Sequence, residues 1–301
     1  MQQSTKAHIY VVIATIFIAG SFLASYKLSS TIDAISLTLY RFVLALIFLS
    51  PLVIFNKNRV KAVPKFLPKA MVISLFYSLY FIGMFKALEY TTVLNTGSIY
   101  TLVPLMTAIL CIFFFKEKIP LAQLIVYIIG IISTLIVVFK ANLELLLKFS
   151  LNQGDIIFLI ASLSMALYSI FLKVLYKKDD DIIVLVFSTL MAGIIWMSFT
   201  MWILDIPYEW EKIEGNLLFS MLYLVVATTI LTLFLYQKAT LILGPKKVMA
   251  YIYISPSLVA LIMFIFEKQR ISLGVFIGIL LSTIATIIIL AIHFILNSPF
   301  L

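Results

Sequence analysis

Phenol and hydroxyl side chains recur on one helical face at two places in this otherwise apolar chain. Tyr77, Tyr80 and Met84 are spaced i, i+3 and i+7, so they share one face of a helix. A shift of 152 residues maps this face onto a second one, formed by Thr229, Thr232 and Tyr236. Phenols and hydroxyls donate and accept hydrogen bonds, which suits the binding of a polar solute. We expect both faces to line a central cavity, with hydrogen bonding between helices as the alternative.

Further polar side chains occupy matching places in other apolar segments. Asn95 and Ser98 are one helical turn apart, and their counterparts Tyr251 and Ser255 are also one turn apart. A shift of 147 residues pairs Ser21 with Tyr168. These groups are candidates for contact with a zwitterionic or polar solute. Helix capping or packing is an equally good interpretation of Asn95 and Ser98.

One basic residue, Arg41, lies well inside an apolar segment. It is about six residues from the end of that segment, which is roughly 9 Å at a rise of 1.5 Å per residue. Its guanidinium group can reach the membrane interface from there. Alternatively, it holds a substrate carboxylate or a helix-end carbonyl.

Two prolines, Pro104 and Pro256, are also related by the shift of 152 residues. Proline cannot donate the helical hydrogen bond, so each is expected to free a backbone carbonyl near the middle of its segment. We expect them to act as hinges, with a static kink as the alternative.

The composition shows which elements must position these residues. Of the 301 residues, 63% are hydrophobic and 12% are charged, against roughly 45–50% and about 25% in a soluble domain. This excludes a soluble globular fold. Apolar runs long enough to cross a bilayer as helices lie at residues 8–27, 35–55, 68–88, 93–115, 121–139, 154–175, 181–203, 215–238, 247–266 and 272–292. We therefore predict an all-α integral membrane protein with ten transmembrane helices.

The distribution of positive charge predicts the orientation of the chain. If the N-terminus is cytoplasmic, 14 Lys and Arg residues fall on the cytoplasmic side and 7 on the other side. The largest group is a five-base loop from Lys57 to Lys69. Because cytoplasmic loops are rich in Lys and Arg, we expect both termini to be cytoplasmic. The net charge of +9 then reflects membrane topology, and we expect the lipid bilayer, not nucleic acid, as a partner.

The chain contains an internal repeat, predicted to comprise residues 1–145 and 150–297. Phe85-Lys86-Ala87 corresponds to Gln237-Lys238-Ala239, and Ala7-His8-Ile9 corresponds to Gly154-Asp155-Ile156. Each unit has five spans, an odd number, so the second unit must enter the membrane from the opposite side. Such inverted repeats are typical of secondary transporters, whose substrate site lies between the two halves.

At this point the sequence resembles the EamA-type members of the drug/metabolite transporter superfamily. The matching stretches in the first unit are Tyr40-Arg41-Phe42, Ala87-Leu88-Glu89-Tyr90-Thr91-Thr92, Pro104-Leu105 and Lys116-Glu117-Lys118. Those in the second unit are Tyr236-Gln237-Lys238-Ala239, Leu243-Gly244-Pro245, and Ser255-Pro256 followed by Glu267. The resemblance implies a ten-helix transporter in the cytoplasmic membrane of a bacterium. It further implies a small organic metabolite as cargo, amino acids included, with export more common than import.

Small residues in the last span suggest contacts between helices. Gly274, Gly278 and Ser282 repeat every four residues, a spacing that allows close helix approach. We expect this stripe to pack against another helix, and a homodimer is one way to provide that helix. No cofactor and no bound metal are expected, because the chain has one cysteine and two histidines.

The main alternative function is a membrane-embedded enzyme that acts on a lipid or an isoprenoid diphosphate. Its basis is Asp179-Asp180-Asp181 beside two lysines, since clustered carboxylates can hold Mg²⁺ and a diphosphate. The run lacks a D-D-x-x-D spacing and a second acidic cluster. A solvated loop is therefore the preferred interpretation of this run.

The predicted orientation is tested by thiol accessibility in intact cells. In a Cys111→Ala background, a cysteine at Asn58 should resist a membrane-impermeant thiol reagent until the membrane is permeabilised. A cysteine at Glu209, in the loop predicted to lie outside, should react at once. The reverse pattern would contradict cytoplasmic termini.

Overall fold

The structure is a computed structural model that describes residues 2–28, 31–91, 93–148, 151–268 and 271–296. Within these ranges, ten helical segments are long and apolar enough to cross a membrane. The predicted ten-helix, all-α membrane architecture is therefore confirmed. Seven of the spans are single continuous helices, and three are interrupted.

We number the spans in chain order. The continuous ones are span 1 (Gln2–Leu28), span 2 (Ala34–Ile54), span 3 (Lys57–Leu88), span 5 (Leu121–Val138), span 6 (Gln153–Leu175), span 7 (Ile182–Leu204) and span 10 (Leu273–Leu296). Span 4 consists of Val93–Tyr100 and Val103–Phe115. Span 8 consists of Asn216–Tyr223, a π-helical segment Leu224–Leu231, and Thr232–Leu243. Span 9 consists of Pro245–Ala250, a 3₁₀ segment Tyr251–Ile254, and Ser255–Glu267. Short helices at Leu143–Leu147 and Trp210–Lys212 lie in the connections.

The packing of the spans has an approximate two-fold pattern. Span 3 packs on spans 6 and 7, and span 8, its counterpart, packs on spans 1 and 2. Span 4 packs on span 6 as span 9 packs on span 1. Spans 2 and 7 pair with each other, as do spans 5 and 10. This pattern is what two inverted five-helix repeats produce.

The ends of spans 4 and 9 carry the same local signature of the repeat. Lys116 and Lys268, 152 residues apart, are both C-caps in the left-handed region, with φ of 54° and 52°. A left-handed residue commonly ends a helix by satisfying the last free carbonyls. Here the two backbone N–H groups donate to Cys111 and Met263, again 152 residues apart. The side chain of Glu267, noted above for its sequence match, lies outside the described part of the structure.

The two prolines are placed differently from the mid-helix kinks predicted above. Pro104 and Pro256 lie in the first turn of the second helices of spans 4 and 9. No helical hydrogen bond is lost there, because first-turn N–H groups have no partner within the helix. The irregular backbone comes just before each proline, at Thr101–Leu102 and at Tyr251–Ile254. The prediction of kinks at the prolines themselves was wrong.

Span 3 begins about 11 residues earlier than predicted, so the basic residues from Lys57 to Lys69 lie on a helix rather than in a loop. Asn56 caps this helix, and two of its bases form ion pairs with the connection between spans 6 and 7. Arg59 binds Asp181 at 2.8 Å, and Lys69 binds Asp180. Partial burial raises the pKa of Asp181, but hydrogen bonds from Arg59 and the Ile183 N–H outweigh it and hold that pKa below its ordinary value.

The small residues Gly274, Gly278 and Ser282 of span 10 pack against other helices of the same chain. A Cβ added at Gly274 would lie 2.4 Å from Cβ of Ala141, and one at Gly278 would lie 2.9 Å from Val137. The Ser282 hydroxyl is 2.9 Å from that of Ser257 in span 9. The stripe therefore packs against the end of span 5 and against span 9, and it offers no free dimer face. Homodimerisation itself stays a prediction.

Spans 3 and 6 approach each other closely at Gly154. A Cβ there would lie 2.6 Å from the carbonyl oxygen of Ala87 and 2.9 Å from the N atom of Thr91. These are backbone atoms of the first repeat, and they cannot move aside as a side-chain end can. Glycine at position 154 thus allows the start of the second repeat to pack directly on the first.

We expect Gly154→Ala to destabilise the protein by about 1–3 kcal/mol through overpacking. Gly97→Ala is the matched control, because its new Cβ would meet only Val138 at an ordinary distance of 3.7 Å. That variant should be neutral or more stable by about 0.5–1 kcal/mol, since alanine favours the helix. Thermal midpoints in detergent measure both effects. Equal midpoints for the two variants would contradict the packing described here.

Candidate binding site between the repeats

Aromatic side chains from four spans meet at the centre of the molecule. Tyr77 of span 3 contacts Tyr168 of span 6, with ring centroids 4.9 Å apart, and Phe42 of span 2 at 5.9 Å. One turn further along span 3, Tyr80 contacts Tyr100 of span 4 at 5.7 Å. Phe81 lies between them, at 5.0 Å from the Tyr77 ring and 5.3 Å from the Tyr80 ring. Three of the predicted cavity residues are thus brought together. We call this group, with Tyr236 of span 8, the tyrosine cluster.

Several side chains at this centre are only partly covered by protein atoms. Arg41, Tyr77, Tyr80 and Tyr100 each keep intermediate exposure, although all four lie deep in the molecule. A transporter built of inverted repeats binds its substrate at such a central place between them.

Arg41 reaches the same centre and binds two hydroxyls of span 8. Its Nη2 donates to Oγ1 of Thr229 at 3.2 Å and, more weakly, to Oγ1 of Thr228 at 3.4 Å. Its Nε is buried and has no hydrogen-bond partner among the described residues. A charged side chain in a membrane span costs about 2.5–3.5 kcal/mol on insertion scales. Arg41 therefore faces the interior, not the membrane interface.

The π-helical segment of span 8 positions the two threonines. Thr228 and Thr229 each donate a hydrogen bond of 2.8 Å to the carbonyl oxygen of Leu224. Their oxygens are left to accept from Arg41. Thr232 donates to the carbonyl of Ala227 at 2.9 Å and has no contact with Arg41. π-Helical turns within α-helices occur frequently at functional sites.

Gln237 is a buried member of the site that the sequence did not identify as one. Its Nε2 donates to Oγ1 of Thr189 at 3.2 Å, but its Oε1 has no hydrogen-bond partner in the part of the chain that the structure describes. The neighbouring Tyr168 hydroxyl also makes no hydrogen bond of good geometry. The sequence signal was present in Gln237-Lys238-Ala239, which we interpreted as a mark of the repeat and of the family resemblance but not as part of the site.

Tyr100 was also missed, for a related reason. It is the last residue of the first helix of span 4, and the shift of 152 residues pairs it with Ile252. Most of the candidates above pair with a polar residue of the other repeat, and this pairing drew attention to them. A tyrosine with an apolar counterpart shows no such pairing.

Four predicted residues lie away from the tyrosine cluster. The Asn95 amide donates to both carboxylate oxygens of Asp155, at 3.2 and 3.1 Å. Ser98 lines a separate, mostly apolar pocket of about 310 Å³ at the side of spans 4, 5 and 6. Ser21 donates to the Ile18 carbonyl of its own helix. Ser255 is half-buried, and the buried serine of span 9 is Ser257.

Polar contacts between the two repeats lie on both sides of the cluster. On the side of the N-terminus, Nδ1 of His8 is 2.8 Å from the Tyr251 hydroxyl, and the Thr15 hydroxyl is 3.2 Å from that of Tyr236. An ion pair between Glu117 and Lys246 lies on the same side. We call these the inner contacts.

The outer contacts are centred on Asp155. This carboxylate accepts hydrogen bonds from Thr91 and Asn95 of the first repeat, and from the Asn152 backbone N–H at 2.9 Å. Asn152 and Asp155 together form a capping box at the start of span 6. The carboxylate is almost fully buried, so its partners in the first repeat hold the two units together on this side.

Comparison with solved structures supports the architecture. One crystal structure, titled only as that of a protein, superposes with a TM-score of 0.77, covering 98% of this chain and 99% of the other. The two sequences are 15% identical, so this likeness concerns the fold alone. Among curated proteins, none matches this sequence.

The sequence also matches a family of membrane proteins over both repeats. The matched residues are 5–139 and 152–291, which include all ten spans in whole or in large part. Members of this family are transporters. The chain belongs to the EamA-like transporter family.

Proposed function

We propose that the protein is a secondary transporter that binds one small organic solute at the tyrosine cluster and carries it across the membrane by alternating access. The observation that carries the proposal is the group of polar and aromatic side chains at the tyrosine cluster, which includes buried polar atoms with no hydrogen-bond partner among the described residues. Arg41 Nε and Gln237 Oε1 are such atoms. A buried polar group left unpaired costs about 1–3 kcal/mol. A polar solute that pairs with them recovers that energy on binding.

The inner and outer contacts supply the two gates that alternating access requires. His8 and Asp155 occupy equivalent positions in the two repeats, 147 residues apart. Because the repeats are inverted, His8 closes one side of the site and Asp155 the other. Breaking one set while keeping the other opens the site to one side only. Two nearly equivalent states of this kind are the basis of transport by inverted repeats.

The interrupted spans provide the places where the backbone can bend. The breaks at Thr101–Leu102 and Tyr251–Ile254 lie beside the site, one in each repeat. Pro104 and Pro256 keep each break in place, since the helix cannot continue back through a proline with regular hydrogen bonds. We assign the hinges to these breaks rather than to the prolines themselves.

The cargo is an amino acid or a related metabolite, and export is the favoured direction. The membrane is the cytoplasmic membrane of a bacterium, with both termini in the cytoplasm. The asymmetry of basic residues supports this orientation. The family resemblance supports the cargo class and the direction.

The first test is thermal stabilisation of the purified protein by a panel of amino acids, nucleosides, vitamins and organic cations. A solute that binds the folded state raises the apparent melting temperature. We expect one chemical class to stabilise the wild type. Tyr80→Ala and Tyr100→Ala should each weaken binding about two- to tenfold, since an aromatic contact contributes about 0.5–1.5 kcal/mol.

The matched control is Tyr90→Ala. Tyr90 is about half exposed at the end of span 3, where it contacts Lys86 rather than the cluster. This variant should bind as the wild type does. If Tyr80→Ala and Tyr100→Ala retain full binding and full transport at normal expression, the site is not where we place it.

The outer gate is tested by Asp155→Asn. Hydrogen bonds to a charged group contribute about 1.5–3 kcal/mol, so removing the charge should favour the state open on the Asp155 side. In a Cys111→Ala background, a cysteine at Tyr80, within the tyrosine cluster, should then react several-fold faster with a thiol reagent added from that side. Asp205→Asn, at the exposed end of span 7, should leave the rate unchanged. Equal rates in both variants would mean that Asp155 only caps span 6.

A further inference from the structure

We infer that the solute bound at the tyrosine cluster carries a carboxylate, and that Arg41 is the residue that recognises it. This inference rests on the proposed function, because it concerns the solute of that same site. It goes further by naming the functional group of the cargo that the site recognises and the side chain that binds this group.

The first argument is the balance of charge around Arg41. Six ion pairs join basic and acidic side chains in the described part of the chain, and none of them includes Arg41. Asp155 is almost fully buried. Its carboxylate already accepts hydrogen bonds from Thr91, Asn95 and Asn152. Span 7, which packs beside span 2, has no charged residue at all. The guanidinium charge is therefore left without a counter-ion among the described side chains.

The second argument is the chemistry of its partners. Thr228 and Thr229 are neutral, and each has already donated its hydroxyl hydrogen to the Leu224 carbonyl. They can orient Arg41 through Nη2, but they cannot neutralise it. The Nε–H, which is one arm of the planar guanidinium fork, is buried and unpartnered. A carboxylate fits such a fork through two parallel hydrogen bonds.

The third argument is the surroundings of the guanidinium. Its central carbon lies 6.0 Å from the Phe81 ring centroid, and it interacts electrostatically with Tyr77. An aromatic face attracts a cation only weakly at this distance, so it holds the group in place without replacing an anion. The same rings, with Tyr80 and Tyr100, offer an apolar surface to the rest of the solute. The site thus fits a solute that has a carboxylate at one end and an apolar or aromatic group at the other.

The experiment compares matched pairs of solutes that differ only in the carboxyl group. Suitable pairs are phenylacetate with phenylacetamide, and leucine and phenylalanine with their primary amides. Binding to the wild-type protein is measured by thermal shift in detergent and by uptake into proteoliposomes. We expect the carboxylates to bind at least tenfold more tightly than their amides. Because this comparison uses no variant, it does not depend on how any variant folds.

Three variants then assign the effect to a residue. Arg41→Gln should abolish the preference for the carboxylate, and Arg41→Lys should retain part of it, because the charge remains but the planar fork is lost. Lys173→Met is the matched control. Lys173 is also a base inside a span, but it donates to the Leu241 carbonyl and makes no contact with the cluster. This variant should keep the wild-type preference.

The outcomes separate this inference from the proposed function. Amides or amines that bind as well as carboxylates, with binding lost in Tyr80→Ala, would overturn the role of Arg41 and leave the transport site intact. A carboxylate preference that survives in Arg41→Gln would also overturn the assignment. If no carboxylate binds and none is transported, the inference fails. If the wider panel of metabolites and cations also gives no response, the proposed site fails with it.

Discussion

The hydrocarbon core of a membrane offers no water, so every polar group placed in it must find a partner within the protein. This constraint governs the structure from the backbone upward. It favours helices, which satisfy their own backbone groups. It also explains why hydroxyls such as Thr15 and Thr107 donate to the carbonyl four residues earlier in their own helix. Few buried side-chain polar atoms of the described residues lack a hydrogen-bond partner, and several of these few lie at the tyrosine cluster.

The same constraint explains where the helices are interrupted. Irregular backbone at membrane depth is tolerated only where protein or a water-filled space covers it. The breaks in spans 4 and 9 and the π-helical segment of span 8 lie where these spans pack against spans 1, 2 and 6. Spans 5 and 10, which pack against each other, are both continuous helices. Places where the backbone can bend and places that can bind a solute therefore coincide.

Duplication supplies a symmetric scaffold, and the site lies where the two copies differ. Tyr77 and Tyr80 correspond to Thr229 and Thr232, so one repeat contributes rings and the other contributes hydroxyls. Arg41 in span 2 has no charged counterpart in span 7. A strictly symmetric pair of halves would place two like charges at the centre, and these would repel each other. Sequence divergence after duplication instead leaves one guanidinium group at the centre of the site.

The sequence by itself determined the number of spans, their helical nature and the two-unit repeat. These follow from hydrophobic length and from correspondences along the chain, both of which are local properties. It also picked out Tyr77, Tyr80, Tyr168 and Arg41, because polar residues are rare in such spans. It left Asn95 and Ser98 open between contact with a solute and capping or packing, it placed the two prolines at mid-helix kinks, and it did not pick out Tyr100 and Gln237. Only the tertiary structure decided these cases, because a polar residue on a helix binds either a neighbouring helix or a solute, and which of the two depends on how the helices are rotated and packed.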